Sequence, residues 1–330
     1  MFINNIFYNI KPIMPRKLQL FLRRQIAKHK RKIYKNIWPI DLSTGMKPKS
    51  WRGWPGNNPF ALVLSHDVDT QRGHDSIPYL IDIEKRMGFK SAFNIVPERY
   101  NVSKSMINYI KQQGFEVNVH GLKHDGKLFK SYKIFKDRAL KINYYLEYWN
   151  TRGFTAPSMI CNMDWLNELG IDYSTCTFDT DPFEPQQSLS KTIFPFVVKH
   201  HIGEAFHVEL PYTLPQDHAL FIILGEKNIS IWKQKLKWIA EIGGMALLNT
   251  HPDYMQFKQS GNSIETYPVS FYTDFLQHIA TEYESKYWNA LPSEVAAFCQ
   301  AKLTRWSTRF TAIKENTPNK HNNISIKQAI

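Results

Sequence analysis

The chain has 330 residues, of which 43% are apolar and 14% aromatic, enough to bury one large core. This length predicts one α/β domain with attachments, or two domains. The three cysteines are an odd number without a Cys-x-x-Cys pair, so they give no disulfide framework or zinc ribbon, and a reducing compartment is favoured. Nothing approaches the run of about 18 apolar residues that a membrane span needs. The asparagine-interrupted segment 1–10 has no basic region or cleavage site, and we expect no signal peptide.

The net charge of +13 is concentrated in the first 50 residues, which hold twelve basic residues and one acidic residue. Residues 11–36 are predicted to form a helical arm in which leucine and phenylalanine side chains lie among the charges. Three interpretations stay open: contact with nucleic acid, contact with an anionic membrane, and a solvated helix packed on its own domain. The arm contains no recognised nucleic-acid motif, and we expect no nucleic-acid partner.

Strands and helices alternate after a connector over 38–59 that is rich in Pro, Gly and Trp. The predicted strands are 61–64, 91–96, 115–120, 153–157, 205–210 and 245–249, and the predicted helices are 77–87, 103–114, 129–149, 165–169, 230–242, 270–283 and 292–302. The alternation predicts a parallel sheet or barrel. In βα barrels the catalytic groups collect at the carboxyl ends of the strands.

Polar residues follow several predicted strands directly. The apolar run 61–64 is typical of a strand buried on both faces, and it leads into His66, Asp67 and Asp69. Because strand side chains alternate, Asp67 and Asp69 project to the same side. Burying two carboxylates is costly unless a cation or hydrogen-bond donors compensate. The pair is therefore either a metal ligand beside a base or an Asx-type turn.

Histidines supply the other candidate groups. His120 ends a predicted strand, and a turn at Gly121 returns His124 to its side. Two imidazoles and one carboxylate suit zinc or a similar divalent ion and leave positions open for water and substrate. Such an ion makes bound water more acidic, and a second carboxylate near that water acts as base. His251, at the end of another buried strand, is the candidate acid for expelling an amine.

Five landmarks in this order resemble the NodB-type polysaccharide deacetylases, a carbohydrate esterase group. They are Asp67-Val-Asp69, His120-x-x-x-His124, Gly153-Phe-Thr-Ala-Pro157, Glu209-Leu-Pro211 and Leu248-Asn-Thr-His251-Pro252. The chain is also similar to the subgroup associated with bacterial surface-polysaccharide biosynthesis, in the three segments Gly121-Leu-x-His-Asp125-Gly126, Asp179-Thr-Asp-Pro-Phe-Glu184 and His251-Pro-Asp-Tyr254. The resemblance implies an α/β fold of the distorted, partly closed (β/α) barrel type. We expect that barrel over 60–303, after an N-terminal arm and connector (1–59), with helices at its C-terminal end and a weakly ordered tail (304–330).

The resemblance further implies metal-dependent removal of N-acetyl groups from an amino sugar. In this family's scheme Asp67 is the base, Asp69, His120 and His124 bind the metal, and His251 is the acid. The expected metal is zinc, with cobalt, nickel or iron as alternatives. The expected substrate is a carbohydrate of a surface polysaccharide, or its lipid- or nucleotide-linked precursor. We expect a cytoplasmic protein, with peripheral contact between residues 11–36 and the inner face of an anionic membrane.

Two departures from the family pattern bear on activity. The family usually has adjacent aspartates at the first landmark, whereas Val68 separates them here; variants with Asp-x-Asp keep the roles in that order. Thr155 stands where the family commonly has an arginine that orients the base. Arg152 is three residues earlier on an extended strand and should face the other side. We therefore expect a more alkaline activity optimum than that of a Thr155→Arg variant.

Several acidic residues keep two interpretations each. Asp179, Asp181 and Glu184 are predicted either to contact substrate or to form an Asp-Pro turn. Asp125 either supports a metal-bound histidine or caps the next turn, and Asp217 is predicted to be structural. Alternative functions are a deformylase or other linear-amide hydrolase on the same fold, and an inactive glycan-binding protein. A non-haem iron oxygenase ranks last because such sites usually occur in β-rich folds.

Overall fold

The computed structural model describes residues 15–49, 51–184, 191–199, 206–257 and 263–301. The helices are α1 (Arg16–Ile33), α2 (Gln71–Met87), α3 (Lys104–Gln112), α4 (Tyr132–Tyr148), α5 (Ser230–Ile242), α6 (Ser270–Glu282) and α7 (292–301). The strands are β1 (Phe60–Val68), β2 (Ala92–Ile95), β3 (Glu116–His120), β4 (Gly153–Thr155), β5 (Tyr173–Thr175), β6 (Phe196–Lys199), β7 (Phe206–Glu209), β8 (Met245–Thr250), β9 (Met255–Gln256), β10 (Tyr267–Pro268) and β11 (Tyr287–Asn289). A π-helix spans His218–Leu224.

The main sheet curls around β1. Strand β8 pairs with one side of β1, while β11 and β2 pair in succession along the other side. Beyond β2 the order continues through β3, β4, β5, β7 and β6, and every pair is parallel except β6 with β7. After β7, the backbone N–H groups of Thr213 and Leu214 donate to the carbonyl of Leu247 in β8. This link brings the far end of the sheet back to β8, which confirms the predicted partly closed barrel.

All nine residues of β1 are buried. Ala61 and Val63 belong to a cluster inside the barrel, whereas Leu62 and Leu64 pack in the layer between sheet and helices. Both faces of the strand are therefore apolar, which explains its uninterrupted hydrophobic run. The same alternation directs Asp67 to the barrel interior.

Helix α2 begins earlier than the sequence indicates. The first turn was predicted at Ile77 with Pro78 inside it, but the helix begins at Gln71 and Pro78 lies in its interior. The sequence does not indicate this start, because Gly73 lies in the first turn and glycine disfavours a helix. A Cβ at Gly73 would lie 2.2 Å from the Asp253 carboxylate, so only glycine fits there. The short strands β5, β6 and β11 were also missed, because three or four residues are too few to show alternation.

Helix α1 packs on the barrel through one face, as one of the three interpretations of the arm predicts. Leu20 and Ala27 are buried, and Arg24 donates from Nε to the carbonyl of Ile222 over 3.0 Å. Residues 11–14 of the predicted arm and the predicted tail fall outside the described residues, so the division of the chain at 59 and 303 stays a prediction. Among the helices of the described ranges, none combines the length and hydrophobicity that a membrane crossing needs.

Candidate metal centre and catalytic groups

The predicted site residues meet at one edge of the barrel. Asp67 lies near the carboxyl end of β1 and Asp69 just beyond it, His120 ends β3, and His251 follows β8 directly. Parallel strands place their carboxyl ends at the same edge, so residues far apart in sequence become neighbours. His124 joins them through the turn at Gly121, where φ is +60°.

Asp69, His120 and His124 form the candidate metal centre. One ligand atom from each residue lies within 4.8 Å of the other two. Asp69 Oδ1 is 3.0 Å from His124 Nε2 and 3.5 Å from His120 Nε2. Gly121 permits this approach, because a Cβ there would lie 2.5 Å from the ring of Pro157. The geometry therefore brings together the three side chains that the sequence singles out as ligands.

The donor set fits a divalent cation. Asp69 Oδ1 and His120 Nε2 are buried and have no hydrogen-bond partner among the described residues. Unsatisfied buried polar atoms are rare in folded proteins and call for an explanation. His120 Nδ1 donates to the carbonyl of Thr155 over 3.2 Å, so Nε2 is the ring nitrogen that faces Asp69. Burial opposes charge on Asp69, but His124 and His120 outweigh it and hold the pKa of that carboxyl well below its usual range.

Asp67 lies beside the candidate metal centre rather than in it. Its Oδ2 is 3.7 Å from His120 Nε2 and 3.8 Å from His251 Nε2. Two amide side chains hold the carboxylate: Asn94 donates to Oδ1 over 2.7 Å and Asn249 donates to Oδ2 over 2.9 Å. Sequence reasoning missed both asparagines. Each asparagine is a polar residue inside an apolar strand, β2 or β8, next to β1. That pattern could have pointed to a contact with Asp67.

No arginine contacts Asp67 among the residues that the structure describes. Thr155 is buried, and its hydroxyl lies 2.6 Å from that of Thr175. Arg152 donates to the carbonyl of Gly170 at the surface, facing away from Asp67 as expected from strand geometry. The hydrogen bonds that hold this carboxylate therefore come from neutral amides, and the imidazoles of His120 and His251 lie 3.7 and 3.8 Å from its Oδ2.

His251 is paired with Asp217. Its Nδ1 lies 2.7 Å from Asp217 Oδ1, and its backbone N–H donates to Oδ2 over 2.8 Å. The Tyr267 hydroxyl also donates to Oδ2, over 2.9 Å. Burial alone would lower the pKa of His251, but the Asp217 carboxylate raises it to about 10. Asp217, which the sequence predicts to be structural, therefore contacts the candidate acid directly and holds its ring in place.

Asp253 fixes the loop that carries Asp69. Its carboxylate accepts hydrogen bonds from the backbone N–H of Asp69 over 3.0 Å and of Thr70 over 2.8 Å. The segment His251-Pro-Asp-Tyr254 thus contains a residue that holds the backbone beside the candidate metal centre. Asp253 is not one of the three candidate ligands.

The remaining acidic candidates lie away from the metal centre. Asp125 pairs with Arg138 over 2.7 Å and caps the turn at Lys127, so it supports neither histidine. Asp179 forms a buried ion pair with Lys235 over 2.8 Å. Such a contact is structural.

Glu184 is half-buried and lies at the end of a hydrogen-bond chain from Asp67. Asn249, which holds Asp67, also donates to Gln216 Oε1 over 3.1 Å. Gln216 in turn donates to Glu184 over 2.9 Å. Glu184 is thus linked to Asp67 through the side chains of Gln216 and Asn249.

No family model and no curated protein matches this chain. Solved structures do match. A protein named as a polysaccharide deacetylase from Mycobacterium smegmatis gives a TM-score of 0.58 at 17% identity, over 85% of this chain and 100% of that one. The allantoinase PuuE gives 0.56 at 14% identity, over 80% and 98%. A protein named as a polysaccharide deacetylase from Pseudomonas aeruginosa PAO1 gives 0.55 at 16% identity, over 79% and 97%. The chain therefore has the fold of the polysaccharide deacetylases.

Proposed function

We propose that this chain is a metal-dependent hydrolase that removes N-acetyl groups from an amino sugar of a bacterial surface polysaccharide or its precursor. One observation carries the proposal: Asp69, His120 and His124 converge on a single point, with Asp67 and His251 beside them. The order of these groups along the chain also resembles the NodB-type landmarks.

Asp69, His120 and His124 would hold the cation, for which zinc is our first choice and cobalt, nickel or iron are alternatives. Three protein ligands would leave coordination positions for water and substrate. A bound divalent ion polarises the amide carbonyl and makes the attacking water more acidic. The two unsatisfied buried ligand atoms support this part of the proposal.

The proton steps fall to Asp67 and His251. Asp67 accepts a proton from the attacking water, while Asn94 and Asn249 keep its carboxylate oriented. His251 is charged at neutral pH because Asp217 raises its pKa, so it donates a proton to the departing amine nitrogen. The C–N bond then breaks and releases acetate and a free amino sugar.

The fold alone does not select a sugar acetamide. A protein named as an allantoinase shares it, so the fold is compatible with more than one class of substrate. Deformylation of a sugar or cleavage of another linear amide is the second candidate. Measuring which acid is released from candidate sugars separates the two: acetate indicates a deacetylase, and formate indicates a deformylase. Glycan binding by titration calorimetry, without metal and without turnover, would instead indicate an inactive binding protein.

The direct test is acetate release from N-acetylated oligosaccharides by the purified chain. We expect activity to be lost with a chelator, regained with zinc, and abolished by Asp69→Ala or His124→Ala. His278→Ala is the matched control, since this half-buried histidine lies on α6 and contacts Tyr283. A fully active Asp69→Ala enzyme would count decisively against the proposal.

We also propose a cytoplasmic location, with the substrate a lipid- or nucleotide-linked precursor met at the inner face of the membrane. The support is the basic arm over 11–36, whose charge suits anionic lipid. Fractionation of cells that express the full chain, with salt washes of the membrane fraction, tests the location.

A further inference from the structure

Helix α1 has two dissimilar faces. The face that contains Leu20 and Ala27 is buried against the barrel. The rest of its circumference, the outer face, exposes large apolar side chains: Leu18 is 45% exposed, Phe21 56% and Ile26 50%. Exposed lysines lie among them: Lys17, Lys28 and Lys32. The outer face therefore combines apolar side chains with positive charge.

The inner face of α1 lies along the rim of the candidate active site. Lys30 donates to the carbonyl of Pro182 over 2.7 Å, in the segment that ends at Glu184. Arg24 donates to Ile222 in the π-helix, which directly follows Asp217, the partner of His251. Pro182 lies in the segment after the carboxyl end of β5, and Ile222 lies in the segment after the carboxyl end of β7. The arm thus borders the end of the barrel that carries the catalytic groups.

An anionic lipid surface fits the outer face better than the alternatives do. Stable attachment of an interfacial helix draws on apolar burial at the acyl boundary and on attraction to anionic headgroups. The outer face offers both, and the first 50 residues hold twelve basic residues against one acidic residue. A nucleic acid would use the charges but leave Phe21 and Ile26 unexplained.

We propose that the outer face of α1 docks on an anionic membrane surface and thereby holds the rim of the active site beside a membrane-borne acetamido sugar. The positioning of the active site beside a sugar rests on the proposed function. The docking of α1 on a membrane concerns lipid binding alone and does not depend on the proposed function.

The test uses the full chain and vesicles of phosphatidylcholine with or without phosphatidylglycerol. We expect binding to the anionic vesicles only. The Lys28→Gln/Lys32→Gln variant should bind about thirtyfold more weakly, the change that corresponds to about 1 kcal/mol per basic residue. Phe21→Ser/Ile26→Ser should also bind more weakly. These side chains are exposed, so the variants keep the packed face of α1 intact.

Helix α4 provides matched controls. Leu140 is 73% exposed, and Lys133 and Lys136 are exposed on the same helix. Leu140→Ser and Lys133→Gln/Lys136→Gln should bind vesicles as the wild type does. Equal binding by the α1 variants would overturn the proposal, as would equal binding to neutral vesicles. Loss of RNA binding in the α1 variants, without any vesicle binding, would assign the face to nucleic acid instead.

A second readout addresses the substrate. We expect Lys28→Gln/Lys32→Gln to lower acetate release from an N-acetylglucosamine glycolipid in the anionic vesicles, while release from a water-soluble N-acetylglucosamine oligomer is unchanged. Equal loss on both substrates would refute the positioning role. Vesicle binding without hydrolysis of either substrate would refute the proposed function while the docking surface stood.

Discussion

Asp217→Asn is the most informative single change, because it removes the charge beside His251 and preserves nearly all of the shape. His251 is only 7% exposed, and Asp217 lies 2.7 Å from its Nδ1. We expect the pKa of His251 to fall from about 10 by about one to three units, toward its ordinary value of 6.5, since burial then acts with less opposition. The acid would lose its proton at a lower pH, and the alkaline limb of the activity profile would move with it.

The size of the effect follows from linkage. A neighbouring opposite charge shifts a pKa by about one to three units, and each unit corresponds to about 1.4 kcal/mol. A raised imidazole pKa stabilises the folded chain fully below 6.5, and that stabilisation is lost as pH rises toward about 10. The variant should therefore lose about 1–4 kcal/mol near pH 6 and much less near pH 10.

Urea unfolding with a chelator present, at several pH values, measures this directly. Tyr267→Phe is the matched control, because it removes one hydrogen bond to Asp217 and keeps the carboxylate charge. The control should lower stability about equally at all pH values in that window. If Asp217→Asn behaved in the same way, the ion pair would not be what charges His251, and the acid role would need another explanation.

Three further changes probe the residues around the site and the stability of the barrel. Gly73→Ala places a Cβ 2.2 Å from Asp253 Oδ2, so calorimetry should show a loss of about 1–3 kcal/mol in the free energy of unfolding, together with weaker zinc binding. Unchanged zinc affinity would argue against the role of Asp253 in fixing the loop of Asp69. Lys235→Met leaves the buried carboxylate of Asp179 without its cationic partner, and denaturant unfolding should show a loss of about 3–5 kcal/mol in the free energy of unfolding. Adding Asp179→Asn should restore part of that loss. Asn249→Ala should lower kcat about ten- to a hundredfold at unchanged metal content, since losing a donor to a charged group costs about 1.5–3 kcal/mol; a wild-type kcat would contradict this.

The meeting of Asp69, His120 and His124 was predictable because the sequence pattern shows the strands that lead to them. The apolar run of β1 leads to Asp69, a predicted strand ends at His120, and the turn at Gly121 returns His124. Parallel pairing then brings the three side chains to one edge. The barrel follows from the same alternation of strands and helices.

The residues that hold Asp67 and His251 were not predicted from the sequence, because their contacts depend on the order of the strands in the sheet. Asn94 and Asn249 contact Asp67 only because β2 and β8 flank β1, and a sequence pattern does not state that order. Asp217 lies in a loop with no ligand spacing, and the tertiary fold alone places it against His251. Helix α2 was misplaced for a similar reason, since Gly73 is explained by the distant Asp253.

Strand β1, with neighbours along both edges, has a consequence for motion. Its amide protons are held by partners on each side, so they should exchange with deuterium only when the whole barrel opens. The carboxylate pair at its end therefore sits on a nearly immobile platform. Motion at this edge of the barrel must therefore come from the loops rather than from β1.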